Sequence, residues 1–249
     1  MNNIFSFNEY KRIISYYLSE LKLTKIENIS YKTKNFFFIR HDVEFSILRA
    51  FDLAKFENEK LNIKTNYFFQ IKNNCYNLIS NKNIKLVHEI QKMGHNIGLH
   101  FSYTGKDNQK DIKRELFNQF YILNKYFKNI KKYFSPHRPN LMKSLQKCKI
   151  KGLINLYTKN YFTPFDKINN NYNKPAYLAD SRGKWKYIHP LNLDLKKYKK
   201  IQLNFHPDLW SKKGFKNKKN YDELINDNNR IFKQSLLDET DYLKKIIKI

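Results

Sequence analysis

Four short segments place polar side chains of catalytic type directly after apolar runs. His41, Asp42 and Glu44 follow Phe36-Phe37-Phe38-Ile39-Arg40, and His100 closes Asn96-Ile97-Gly98-Leu99. His137 and Arg138 follow Tyr133-Phe134-Ser135-Pro136, and His206 follows Ile201-Gln202-Leu203-Asn204-Phe205. Five of the seven histidines, His41, His95, His100, His137 and His206, lie in or beside these segments. Imidazole and carboxylate together bind zinc or a similar divalent ion, which polarises a carbonyl and acidifies a water. A neighbouring carboxylate can take the water's proton, and a histidine across the site can protonate a leaving amine. An arginine beside them can hold a carboxylate or orient the base. Metal-assisted amide hydrolysis is the chemistry such parts could build.

The elements that must position these residues follow from periodicity. Phe7 to Leu21 reads as an opening helix, with Ile13, Ile14, Tyr17, Leu18 and Leu21 on one face. Phe36 to His41 reads as a buried parallel strand, and Ser46 as the cap of a helix carrying Ile47, Ala50, Phe51 and Ala54 at helical spacing. Further strands are expected at Asn66–Ile71, Ile97–Phe101, Tyr133–Ser135, Leu153–Tyr157, Ala176–Leu178 and Ile201–Phe205. Helices are expected at Ile84–Met93, stopped by Gly94, at Asp111–Phe127, and from about Tyr221 onward, with an exposed Asn-rich loop from Thr163 to Lys174. About seven strands alternating with helices suit a barrel or an open doubly wound sheet, and both put ligands at the carboxyl ends of strands.

Composition bounds the classes. The chain has 249 residues, 41% of them hydrophobic and 16% aromatic, enough for one α/β domain with a substantial core. The formal charge of +26 admits nucleic acid, an anionic membrane surface or an anionic substrate. The basic residues are spread along the chain and accompanied by abundant Asn, the signature of AT-rich coding and a solvated surface. No helix-turn-helix, zinc-finger or RNA-binding signature favours a specific nucleic acid. Peripheral contact with an anionic membrane stays open. Cys75 and Cys148 make neither a zinc motif nor a disulfide framework and fit buried, reduced thiols. The N-terminal residues carry no signal-peptide pattern and no stretch is long and apolar enough to span a bilayer, so a cytoplasmic protein is expected.

Taken in order, the segments resemble the motifs of the polysaccharide deacetylases, carbohydrate esterase family 4. Arg40-His41-Asp42-Val43-Glu44 resembles the variant of the first motif in which Asp-Val-Glu replaces paired aspartates. Gly94-His95-Asn96-Ile97-Gly98-Leu99-His100 resembles the second, His137-Arg138-Pro139 the Arg-Pro motif, and Asp180-Ser181-Arg182-Gly183-Lys184-Trp185 the fourth. Leu203-Asn204-Phe205-His206-Pro207, with Trp210 after it, resembles the last. The resemblance covers about residues 36–210, within what is expected to be one domain over residues 1–249.

It implies an irregular (β/α) barrel and removal of an N-acyl group from an amino sugar of a glycan, or of a nucleotide- or lipid-linked sugar, in cell-surface polysaccharide or lipopolysaccharide synthesis. Carried over by position, Asp42 is base or metal ligand, His100 a ligand, His206 the acid, and Arg138 the group that orients the base. Trp185, Trp210 and His137 would bind substrate. The expected cofactor is a divalent metal, zinc by preference, held by Asp42, Glu44 and His100, with His41 as a further donor. Two departures stand out: Thr104 occupies the place of a second metal-binding histidine, and Val43 separates the two carboxylates. They motivate an alternative, a carbohydrate-binding or scaffold relative without the metal. Simpler roles compete as well. Asp42 can cap a helix, His95 can bond backbone away from the chemistry, His88 and His189 can be surface groups, and either Trp can be core.

Overall fold

A computed structural model of the chain describes residues 4–146 and 150–246. The main strands are β1 (Lys22–Leu23), β2 (Phe36–Val43), β3 (Asn66–Phe69), β4 (Asn96–Phe101), β5 (Tyr133–Pro136), β6 (Ile154–Asn155), β7 (Thr163–Pro164), β8 (Ala176–Ala179) and β9 (Lys200–Phe205). Between and after them run α1 (Phe7–Leu18), α2 (Ile47–Phe56), α3 (Asn81–Lys92), α4 (Gln109–Tyr126), α5 (Lys143–Gln146), α6 (Asn217–Glu239) and α7 (Asp241–Ile246). Every strand pair is parallel, in the order β6-β5-β4-β3-β2-β9-β8-β7, with β1 added beside the start of β2. This path of eight strands curls into a half-barrel flanked by helices, consistent with the irregular (β/α) barrel that the resemblance implied rather than with an open sheet. No described helix is long and apolar enough to cross a membrane.

β2 sits at the centre and all eight of its residues are buried, so both of its faces must be satisfied. Successive side chains of a strand point to opposite faces. Phe36 and Phe38 accordingly fill the inside of the curl with Ile26, Ile29, Phe68, Tyr133, Leu156 and Tyr161. Phe37 and Ile39 pack outward against Tyr10, Ile13, Ile14 and Tyr17 of α1, while Val43 joins the apolar layer between the sheet and α2, α3 and α4. Arg40 and Asp42 continue the inward face toward the carboxyl end. His41 falls on the outward face, beneath the helices.

Local chemistry sets the helix starts. The Ser6, Ser46, Ser80 and Asn108 side chains each accept a backbone N–H of the first turn of α1, α2, α3 and α4. α1 stops at Leu18 rather than Leu21, because the chain must turn before Lys22 pairs with Phe36. β2 runs two residues beyond the expected His41, since Asp42 and Val43 still pair with Phe68 and Phe69 of β3. The 153–157 strand shrinks to two residues. The Asn-rich segment is not wholly a loop: Thr163-Pro164 forms β7, and Ile168 is buried.

α6 is docked by Arg49 of α2, whose guanidinium donates to Asp227 (3.0 and 3.2 Å), to Asn220 Oδ1 (2.9 Å) and to the Asp208 carbonyl (2.9 Å). Cys75 is exposed on the loop after β3, against the buried thiol expected, because that loop is held through Asn73 and Tyr76 rather than through the cysteine. Cys148 lies outside the described residues.

Inside the curl, Gly98 of β4 leaves room for the Phe68 ring: a Cβ there would lie 2.6 Å from a ring carbon. Gly98→Ala should therefore destabilise the fold by about 1–3 kcal/mol through overpacking, and Phe68→Leu in the same chain should recover part of the loss. Urea unfolding of the three variants checks this.

Candidate active site

The strand alternation decides which of the polar residues meet. Arg40 and Asp42, buried on the inner face of β2, form an ion pair of 2.9 Å. Arg40 also donates to Gln202 Oε1 (2.8 Å), and its guanidinium lies against the Tyr157 and Tyr177 rings, 5.2 and 5.5 Å from their centroids. Asp42 accepts further from Ser135 Oγ (2.9 Å) and Asn204 Nδ2 (3.1 Å). Burial alone would push the Asp42 carboxyl up, but the charges of Arg40, His100 and His206 and the Ser135 bond hold it well below the usual range. Asp42 is thus a permanent anion at the floor of the site.

Glu44 lies two residues on. Val43 therefore does not disrupt the pair of carboxylates: it points into the outer core and leaves Asp42 and Glu44 on one side. Glu44 Oε1 faces three imidazoles, with His100 Nε2 at 3.3 Å, His137 Nε2 at 3.5 Å and His206 Nε2 at 4.0 Å. No hydrogen bond engages its Oε2 among the described residues. Ligand atoms of Glu44, His100 and His137 all lie within 4.8 Å of one another, a spacing that could hold a metal ion. His100 is fixed from behind, its Nδ1 being 2.9 Å from Ser135 Oγ and 3.1 Å from the Ser135 carbonyl. Such an outer bond on the second ring nitrogen is what orients a metal-binding histidine. Burial, then the charge of His100, pushes His137 down to about 4, so it is neutral and able to donate a lone pair at ordinary pH.

His206 has a different partner. Its Nδ1 is 2.6 Å from Asp180 Oδ1, and its backbone N–H also points to that carboxylate. Burial lowers its pKa, but the charge and hydrogen bond of Asp180 outweigh this and push it up to about 10. His206 is an imidazolium with its Nε2 turned toward Glu44. The Trp210 indole N–H donates to the other Asp180 oxygen at 2.6 Å and holds the carboxylate in place. Asp208 accepts the backbone N–H groups of Glu44 (3.1 Å) and Ser46 (2.6 Å), fixing the turn from β2 into α2.

Several expected placements change. Of the expected ligands Asp42, Glu44 and His100, the last two lie with His137 at a spacing that could hold an ion, while Asp42 is engaged by three donors and its side chain is 3% exposed. His137, expected at the substrate, lies 3.5 Å from Glu44 Oε1. Thr104 is exposed. His41 cannot join them, since it is on the other face with Nε2 3.0 Å from Glu57 Oε1. Arg138 is exposed, and the arginine on the Asp42 carboxylate is Arg40.

Trp210 is 1% exposed core and presents no face to a sugar, and Trp185 packs edge-on against Phe205 in the outer layer. His95 bonds backbone, its Nδ1 accepting Thr65 N–H (3.1 Å) and Nε2 lying 3.0 Å from the Ala54 carbonyl. His88 stacks near Phe127 and His189 meets Glu9, both away from the site. Ser135, Asn204, Asp180 and Asp208 gain roles that single residues did not announce. Asp180 and Asn204 carried a signal, by lying in the motif-like segments.

Fold and site together define a parallel α/β half-barrel with an imidazole–carboxylate cluster at the carboxyl ends of its strands. No protein-family model matches the chain, and no curated protein does. Among solved structures, it is similar to the chitin deacetylase from the fungal pathogen Colletotrichum lindemuthianum, with 16% identity and a TM-score of 0.34. That likeness covers 43% of this chain and 46% of the other, so the chain spans less than half of that structure.

Removing the counter-charge of the floor should be costly. Arg40→Met leaves Asp42 an unpaired buried anion and should cost about 3–5 kcal/mol. Arg40→Met with Asp42→Asn should cost clearly less than the sum of the single changes. A double-mutant cycle by chemical denaturation measures the coupling.

Proposed function

We propose that the protein is a metal-assisted amide hydrolase that removes an acyl group from an amino sugar. The observation that supports this best is the meeting of Glu44, His100 and His137 within 4.8 Å beside the charged His206. Two imidazoles and one carboxylate are donors that suit zinc at an open catalytic site. A divalent ion held there would supply Lewis acidity toward an acyl carbonyl and a water. The amino-sugar part of the reading rests on the order of the motif-like segments, Arg40 to Glu44, Gly94 to His100 and Leu203 to Pro207.

The chain's own groups divide the proton work. Glu44, whose Oε2 is uncommitted, receives the proton of the attacking water. His206, kept protonated by Asp180, donates to the departing amine. Asp42 neither binds nor transfers: with Arg40 and Ser135 it fixes His100 and supplies negative potential under the cluster. The buried pair is a positioning device, and the reaction belongs to the residues above it. An acylated sugar of a cell-surface glycan, or its nucleotide- or lipid-linked precursor, is the substrate class in this reading.

Purified protein titrated with zinc should bind one equivalent, and Glu44→Gln or His137→Ala should each abolish stoichiometric binding. Acetate release from N-acetylated amino sugars should fall by about 100-fold or more in His206→Gln, the size expected for losing a general acid, with zinc binding retained. Wild-type protein that binds zinc in the same ratio as His137→Ala would overturn the ligand set. Asp180→Asn removes the group that raises His206, so the alkaline limb of the rate profile should move from near pH 10 toward neutrality. An unmoved limb would remove His206 from the acid role.

A further inference from the structure

The chain contains seven arginines against 41 lysines, so the places where arginine is used are informative. Four of them meet a carboxylate: Arg40 with Asp42, Arg49 and Arg230 with Asp227, and Arg114 with Asp111. Arg12, Arg138 and Arg182 are exposed and form no ion pair among the described residues, and Arg12 lies on α1. The other two adjoin residues of the site in the chain. Arg138 directly follows His137, and Arg182 is two residues after Asp180, the partner of His206. Their loops leave β5 and β8, which lie on opposite sides of β2, the strand that leads into Glu44.

Their backbones add a second observation. Arg138 (φ 50°, ψ 60°) and Arg182 (φ 61°, ψ 30°) are both left-handed. Five of the eight non-glycine residues with positive φ are Asn, the type that adopts this conformation with least strain. An arginine there carries a steric cost that Asn would reduce, and at these two positions the chain keeps arginine. Lysines do not discriminate in the same way, since 41 of them are spread along the chain. A guanidinium offers a planar fork that matches the oxygens of a phosphate, which an ammonium does not.

We propose that Arg138 and Arg182 form a phosphate-binding clamp beside the site, and that the substrate is an acylated amino sugar carrying a diphosphate ester. The sugar half of this statement rests on the amide-hydrolase reading. The phosphate half rests on the two guanidiniums. Such an ester occurs on nucleotide-linked and on polyprenyl-linked sugars, and the clamp recognises the chemistry they share. A neutral glycan chain would leave both guanidiniums without a partner.

The test uses the full chain, with calorimetric binding and acetate release measured in parallel. The ligands are uridine diphosphate, its N-acetylglucosamine ester, a detergent-solubilised polyprenyl diphosphate ester of the same sugar, and neutral diacetylchitobiose. Arg138→Met and Arg182→Met should each weaken uridine diphosphate binding about tenfold or more. Added salt should weaken the wild-type interaction, and affinity for the neutral disaccharide should stay unchanged. Melting curves matching the wild type establish that these exposed changes leave the fold intact.

Diphosphate binding that is absent, indifferent to both substitutions, or lost in step with neutral-sugar binding would overturn the clamp. Arginine-dependent binding of the sugar diphosphate with no acetate released would uphold the clamp and sink the hydrolase reading. Acetate release from the neutral sugar with no arginine effect would do the reverse. Whichever ester binds more tightly through the arginines identifies the source of the phosphate.

Discussion

The ion pair between Arg40 and Asp42 is the interaction on which the site depends. Both groups are buried on the inner face of the central strand, and neither could be tolerated there alone. Gln202, Asn204, Ser135 and the tyrosine pair Tyr157 and Tyr177 complete the polar floor around them. These partners come from β9, from β5 and from the ends of the curl. The floor can therefore form only when the sheet has curled. Once formed, it fixes His100 through Ser135 and sets the height at which Glu44 emerges.

The outer face of the same strand solves a separate problem. His41 points under the helices, where the Glu57 carboxylate accepts from Tyr10, from Tyr67 Oη (2.7 Å) and from Thr65 Oγ1 (2.8 Å), with His41 Nε2 at 3.0 Å. Burial pushes the Glu57 carboxyl up, but the His41 charge and hydrogen bond, His95 and Tyr10 hold it down near 2. Glu57 therefore contributes stability above the usual carboxylate range that fades as pH falls toward 2. One strand thus carries two buried polar clusters, back to back, one beneath the candidate site and one that ties α1 and the end of α2 to the sheet. Alternation along the strand keeps them apart.

Much of this was legible before folding. Continuous apolar runs identified the buried strands, and Ser and Asn caps with helical spacing identified the helices between them. Their order predicted a parallel sheet, as a barrel or an open doubly wound fold, and therefore a site at the carboxyl ends of its strands. Weaker local signals misled. The two-residue strands β6 and β7 have too few residues for periodicity to register. Trp185 and Trp210 looked like sugar platforms because an aromatic residue reads alike whether it faces a ligand or a core. Arg138 was matched to a motif by position, while the Asp42 carboxylate found its arginine two residues away on its own strand.

The sequence by itself determined the strand and helix alternation, the face on which each residue of β2 falls, and the set of groups able to do acid–base or metal chemistry. These depend on short-range spacing, which the chain carries locally. The tertiary structure alone decided which of those groups meet. Asp42 went to Arg40, Ser135 and Asn204, Glu44 to three histidines from three strands, and His206 to Asp180. Apart from Arg40, these partners are 26 to 162 residues away and are chosen by register and curl. That choice paired Asp42 with Arg40 beneath the site and brought His137 to Glu44.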